Sequence, residues 1–181
     1  MNLFHTLADL ESNDEIHMGR LMILLGNFCG PDGTGKIEGL TKLAKLDFLL
    51  RYPVYLESAL KTKNVSVRDV QVAEHERLSI ESAMVRFRYG PWDFRYRRFI
   101  NLLVAKGLVD IRSQGNTIHL SLTQNGLQLA RKLASHEAFS DVARRTAILK
   151  RHFDQRGTYL MRFIYNTFPE ISTLRFGEGI E

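Results

Sequence analysis

The chain has 181 residues, 44% hydrophobic and 25% charged, the composition of an ordinary globular protein long enough to bury a sizeable core. Its single cysteine, Cys29, excludes an internal disulfide, and no paired Cys/His spacing of the zinc type occurs. No apolar stretch approaches membrane-spanning length, and the start lacks the basic-then-apolar order of a secretion signal, so the expectation is a cytoplasmic protein without membrane contact.

The net charge of +5 is unevenly placed. Residues 1–80 carry 9 Lys and Arg against 11 Asp and Glu, a net of −2, and the remainder carries 16 against 9, a net of +7. Basicity confined to the second half suits a polyanion or an acidic protein surface, or simply a solvated face.

In chain order, residues 1–13 read as an N-terminal arm. From Asp14 to Phe28, Ile16, Leu21, Leu24, Leu25 and Phe28 recur at helical spacing. The following Gly30-Pro31-Asp32-Gly33-Thr34-Gly35-Lys36 satisfies most of a phosphate-binding loop, but Ile37 stands where a Mg²⁺-coordinating hydroxyl is needed and Glu38-Gly39 interrupt the helix that should follow. A linker between two helices is therefore expected, with no cofactor. Leu40, Leu43, Leu46, Leu49 and Leu50 define a helix over Leu40–Arg51 with Lys42 and Lys45 on its outer side, and Pro53 restarts a second one. Residues 62–80 are polar with scattered valines, an inserted loop with room for one short strand.

Met84 to Leu133 is the most legible stretch. Val85, Phe87 and Tyr89 alternate with Arg86 and Arg88 as in a half-buried strand, followed by a turn at Tyr89-Gly90-Pro91. Asp93 is placed to cap a helix ending at Lys106-Gly107, with Tyr96, Phe99, Ile100, Leu103 and Val104 as its apolar stripe. Leu108–Arg112 and Thr117–Leu122 are strand-like runs joined by Ser113-Gln114-Gly115-Asn116, a hairpin, after which Thr123 caps a helix with Leu129, Ala130 and Leu133 inward. Further on, Phe139, Val142, Thr146, Leu149 and Phe153 define an amphipathic helix whose other sides carry Arg144, Arg145, Lys150, Arg151 and Arg156. Tyr159 to Phe168 is so densely apolar that it reads as a core or interface helix, and Leu174 to Glu181 is too short and Gly-rich to hold alone.

Helix, hairpin and helix in this order make a winged helix-turn-helix core, so the expected class is α+β: a winged-helix domain over residues 14–134 and a C-terminal helical extension over 135–181. The helix before the wing occupies the place that enters the major groove in DNA-reading members, but the same fold also docks proteins. Between Arg86 and Arg112 seven basic residues face two acidic ones, interleaved with aromatics. Arg95, Arg98, Lys106, Arg112 and Gln114 are the DNA-contact candidates, since arginine pairs with phosphate bidentately; Tyr89, Trp92, Tyr96, Arg97, Tyr159 and Phe163 are the partner-docking candidates. His5, His17, His75, His119, His136 and His152 are dispersed, without metal or triad spacing, and no catalytic or metal-binding set is expected.

The segments GLTKLAKLDFLLRYP (Gly39 to Pro53) and MVRFRYGPWDFRYRRFINLLVAKGLV (Met84 to Val109) resemble the middle component of bacterial ABC three-component systems, the Lamassu-type class, with YGPWD and its flanking arginines the most specific piece. The resemblance covers most of residues 14–134. It implies a non-catalytic subunit beside an SMC-like ABC ATPase and an effector, often a nuclease, in anti-phage or anti-plasmid immunity. It implies a structural or docking role for Tyr89, Gly90, Pro91, Trp92, Asp93, Tyr96 and Arg97, and supplies no active-site residues. The expected partners are thus the ATPase and effector, with DNA second and no small-molecule substrate. A free winged-helix transcription regulator is the rival reading, and a nucleotide-dependent kinase using Lys36 a third.

Overall fold

The unbroken apolar run Leu21-Met22-Ile23-Leu24-Leu25 puts a hydrophobic side chain on every face of the first helix, which must then be covered all round. The computed structural model describes residues 14–78 and 84–180. The expected arm at 1–13 and the end of the expected loop at 79–83 lie outside the described residues. Helix α1 (Asp14–Cys29) runs through the centre, and all five residues of that run are buried. It is followed by β1 (Ile37–Glu38), α2 (Leu40–Arg51) and α3 (Pro53–Thr62). Pro53 occupies the first turn of α3, where a missing N–H costs nothing. A 3₁₀ turn (Arg68–Val70) and the short α4 (Glu74–Leu78) occupy the segment expected to be loop or strand.

The chain then forms a hairpin, β2 (Val85–Phe87) and β3 (Gly90–Trp92), with Phe87 opposite Gly90. The single strand expected through Tyr89 is corrected: the chain reverses at Arg88-Tyr89, one residue earlier than read, and Gly90, at φ 118°, begins the return strand. Helix α5 (Tyr96–Ala105) leads into β4 (Val109–Gln114) and β5 (Thr117–Leu122), paired from Val109 opposite Leu122 to Gln114 opposite Thr117. β1 pairs with the other edge of β5, Ile37 opposite Leu120, giving the antiparallel order β1-β5-β4. Thr123 caps α6 (Gln124–Ala134), its hydroxyl accepting from the Gly126 N–H at 3.0 Å. The chain closes with α7 (Ser140–Phe153), α8 (Gly157–Thr167) and α9 (Pro169–Thr173). The class is mixed α+β with small antiparallel sheets.

One apolar cluster holds these parts together. Leu24, Leu46, Phe48 and Phe99 meet Leu149, Phe153, Leu160 and Ile164 from α7 and α8. The last residues hold by pairing: Ile180 N–H donates to the Met84 carbonyl at 2.8 Å, Arg86 N–H to Glu178 at 2.9 Å, and Ile180 is buried.

Three basic residues expected on outer faces are buried: Lys42, Lys45 and Arg145. α2 is covered by α7, α8 and the hairpin, so its amphipathic reading fails and its lysines must find partners inside. Lys42 Nζ donates to Asp154 at 2.8 Å. Arg145 clamps the 62–78 segment, donating to both Glu76 carboxylate oxygens at 2.7 Å and to the carbonyls of Val70 and Gln71 at 3.0 Å.

Candidate docking groove

Asp47, on α2, is fully buried and serves as the hub that positions the hairpin. Arg20 of α1 binds it with both arms, Nε to Oδ1 at 2.6 Å and Nη2 to Oδ2 at 3.2 Å, while the Tyr96 hydroxyl of α5 donates to Oδ2 at 2.7 Å. One turn along α2, Arg51 lies 4.0 Å from Asp47 and donates to Asp93 at 2.9 Å, and Asp93 also takes Arg95 Nε and Nη2 at 3.0 and 2.8 Å. Burial pushes the Asp47 and Asp93 carboxyls up, but the guanidiniums around them pull harder, so both stay below the ordinary carboxylate range. A charge network of this kind is stable only when complete, and here it welds α1, α2, α5 and the end of β3 into one unit.

On that base the hairpin becomes one wall of a groove of about 900 Å³. The opposite wall is the β4–β5 hairpin, through Gln114, Asn116 and His119, and the ends are the first residues of α2 and α8. Tyr89, Trp92 and Arg97 line it, with Tyr89 57% exposed at the hairpin turn. A tighter, mostly apolar recess of about 180 Å³ is lined by Phe87, Tyr89, Pro91 and Trp92 together with Lys45 and Arg97. Trp92 is held by Phe87, ring centroids 6.2 Å apart, and by the edge of Tyr96 at 5.5 Å. Gly90 lets the strand approach α2: a Cβ there would stand 3.6 Å from Lys45 Cε, at a φ that other residues resist.

Lys45 is only 2% exposed, and its ammonium donates to the Thr41 carbonyl at 3.0 Å. Burial lowers its pKa to about 8. Neither it, Arg97 nor Arg156, the other cations lining the groove, has a carboxylate partner among the described residues; Glu38 is the one carboxylate on the lining.

The expected site residues divide sharply. Tyr89, Trp92, Arg97 and Gln114 meet at the groove. Tyr96 does not: it is 1% exposed with its hydroxyl committed to Asp47, and the expectation that it docks a partner is corrected to a core role. Among the DNA candidates Arg95 is tied to Asp93, Arg98 to Asp14 and Arg112 to Asp110. Lys106 is exposed at the end of α5. Tyr159 and Phe163 stack on α8 at 6.3 Å, with the Lys63 ammonium 5.8 and 5.5 Å from the two rings, apart from the groove lining. Asp93 does not cap α5 directly; its side chain accepts from the Arg95 N–H at 2.9 Å in the turn before the helix.

Lys45, His119 and Arg156 are the groove residues that sequence reasoning missed. The available signal for Lys45 was a helix with too few polar positions to keep any face in water. The glycine loop at Gly30–Lys36 runs into strand β1, so no helix N-terminus stands behind Lys36 to receive a phosphate.

Comparison with protein families, curated proteins and solved structures finds no match to the chain. Among the described residues no helix is long and apolar enough to cross a membrane, and no cluster of three His, Cys, Asp or Glu stands ready for a metal.

Proposed function

We propose that the chain is a non-catalytic, cytoplasmic winged-helix adaptor that links an SMC-like ABC ATPase to an effector in anti-phage or anti-plasmid defence, docking protein first and DNA second. The order α1, β1, α2, α5 and the β4–β5 hairpin, with β5 central in the sheet, supports the winged-helix reading. The hairpin of residues 85–92 and the helices before it are then an insertion between the second helix and the recognition helix.

The observation that carries the docking reading is how the two residue sets are placed. Tyr89 to Trp92, the core of the piece that most resembles the family, build a groove wall with an exposed aromatic tip. Arg95 instead holds Asp93 with two arms in the buried network, which a phosphate would have to break, while Arg98 and Arg112 each carry a more exposed carboxylate of their own chain. Aromatics around a recess with an arginine, Arg97, that holds no carboxylate among the described residues are the chemistry of a protein hot spot.

The test is a tagged pull-down from native cells, comparing wild type with Tyr89→Asp at the exposed tip. Recovery of a large coiled-coil ATPase with the wild type, and its loss with the variant, supports the adaptor. Recovery of a lone dimer on DNA would replace it with a transcription regulator.

A further inference from the structure

The groove also carries two cations that the docking reading leaves unused, Lys45 and Arg156. Gly157 opens α8 against the first turn of α2: a Cβ on it would lie 3.7 Å from Lys42 N and from Thr41 Oγ1. Two helix N-termini thus converge at one end of the groove, and neither carries a side-chain cap. Helix starts present unsatisfied N–H groups and partial positive charge. Lys45, Arg97 and Arg156 line the same cavity, and Lys45 is buried without a counter-ion among the described residues. An ammonium in such a place is costly to the fold unless an anion reaches it.

We propose that the groove floor binds the phosphate of a nucleotide, with the base in the apolar recess beside Phe87, Tyr89 and Trp92. Three cations without a carboxylate partner among the described residues, against the single carboxylate of Glu38 on the lining, exceed what one carboxylate ligand needs and suit a phosphate dianion. The aromatic recess of about 180 Å³ beside the cations supplies a stacking surface for a base. The nucleotide is either free or the phosphorylated end of a nucleic-acid strand, the bound group being the same. The inference does not rest on the adaptor reading: the two share Tyr89, Trp92 and Arg97, while Lys45 and Arg156 enter this one alone, and nucleotide binding and ATPase recovery are read by separate measurements.

The chain's single tryptophan is Trp92, so its fluorescence reports the groove directly. The full-length protein is titrated with AMP, adenosine, a short single-stranded oligonucleotide with and without a terminal phosphate, and an oligoglutamate peptide. Saturable change with AMP or with the phosphorylated oligonucleotide, and at least tenfold weaker response to the matching unphosphorylated compound, is expected; whichever phosphorylated probe binds tighter identifies the source. Arg97→Gln and Arg156→Gln, at exposed positions, should each weaken binding about tenfold or more, the loss of a charge-assisted hydrogen bond. Arg162→Gln, exposed elsewhere on α8, should change nothing. The proposal is overturned by equal binding of AMP and adenosine, by indifference to both groove substitutions, or by a response to oligoglutamate alone. Far-UV circular dichroism of each variant excludes loss of fold, and the pull-down, which uses Tyr89→Asp, reads the adaptor separately.

Discussion

Replacing Lys45 with methionine should make the protein more stable and the groove less useful. The side chain is almost wholly enclosed, its stem packs beside Gly90, and burial brings its pKa from 10.5 to about 8. A folded-state pKa below the unfolded one means that the unfolded chain binds more protons between those values, so stability rises with pH through that window. Below about 8 both states are protonated and the penalty is complete. At about 1.4 kcal/mol for each pH unit, the cost of keeping Lys45 charged at neutral pH is about 3 kcal/mol. Methionine has similar length and no charge, and it gives up the bond to Thr41 O, worth about 1 kcal/mol. Lys45→Met should therefore gain about 2 kcal/mol at pH 7 in urea unfolding, and the difference from wild type should shrink by about 2 kcal/mol by about pH 9.5. Measuring the difference cancels tyrosines and other groups that titrate in both proteins. A variant less stable than wild type at pH 7, or a difference independent of pH up to about 9.5, would refute the reasoning.

Asp47→Asn should cost about 3–5 kcal/mol, because Arg20 and Arg51 would remain buried without their shared carboxylate; denaturant midpoints measure it. Asp47, Glu76, Asp93 and Asp154 all have carboxyls held below their ordinary values of 3.8 to 4.5, so their stabilisation is complete above that range and is lost progressively as pH falls below it, down through the lowered folded-state values; the urea midpoint should be flat near neutrality and drop in acid. Cys29 is buried with its sulfur accepting from the Leu122 N–H at 3.4 Å and its thiol pKa raised by burial, so a thiol reagent should label it slowly in the native protein and fast in urea.

Local pattern made much of the fold legible. The helix over Leu40–Arg51 and the strand over Thr117–Leu122 appear with the ends read from sequence, because each has a strong period and a breaker or cap beside it: Pro53 for the one, Thr123 for the other. Gly107, at φ 68°, ends α5 where a left-handed residue was expected. What stayed hidden depends on partners distant in the chain. Lys42 and Arg145 read as outward-facing since periodicity does not reveal that Asp154 and Glu76 will be folded against them. The alternation of Arg86 and Arg88 carries the strand reading two residues past its end at Phe87, through Tyr89, while the reversal is set by Gly90 against α2. The tail at Glu178–Ile180 carries no strand signal; its pairing with Met84 and Arg86 comes from an edge that β2 leaves open.

The same non-locality explains why the docking and DNA candidates separated as they did. Interleaved arginine and aromatic residues look alike in sequence whether they face solvent, a partner or each other. Asp93 distinguishes them in space: it draws Arg95 and Arg51 inward, and with Asp47 holding Tyr96 it leaves Arg97 as the arginine of this run that reaches the groove. A phosphate arriving at Arg95 would have to break a two-armed pair that is part of a buried network, whereas one arriving at Arg97 breaks no carboxylate pair among the described residues. Binding strength depends on the cost of freeing the donor as much as on its charge. The groove's cations hold no carboxylate among the described residues, one of them is kept at a cost to stability, and its tryptophan is already fixed between two rings. That is the condition of a preorganised site, and it directs a phosphate to the groove floor ahead of the charged face of α5.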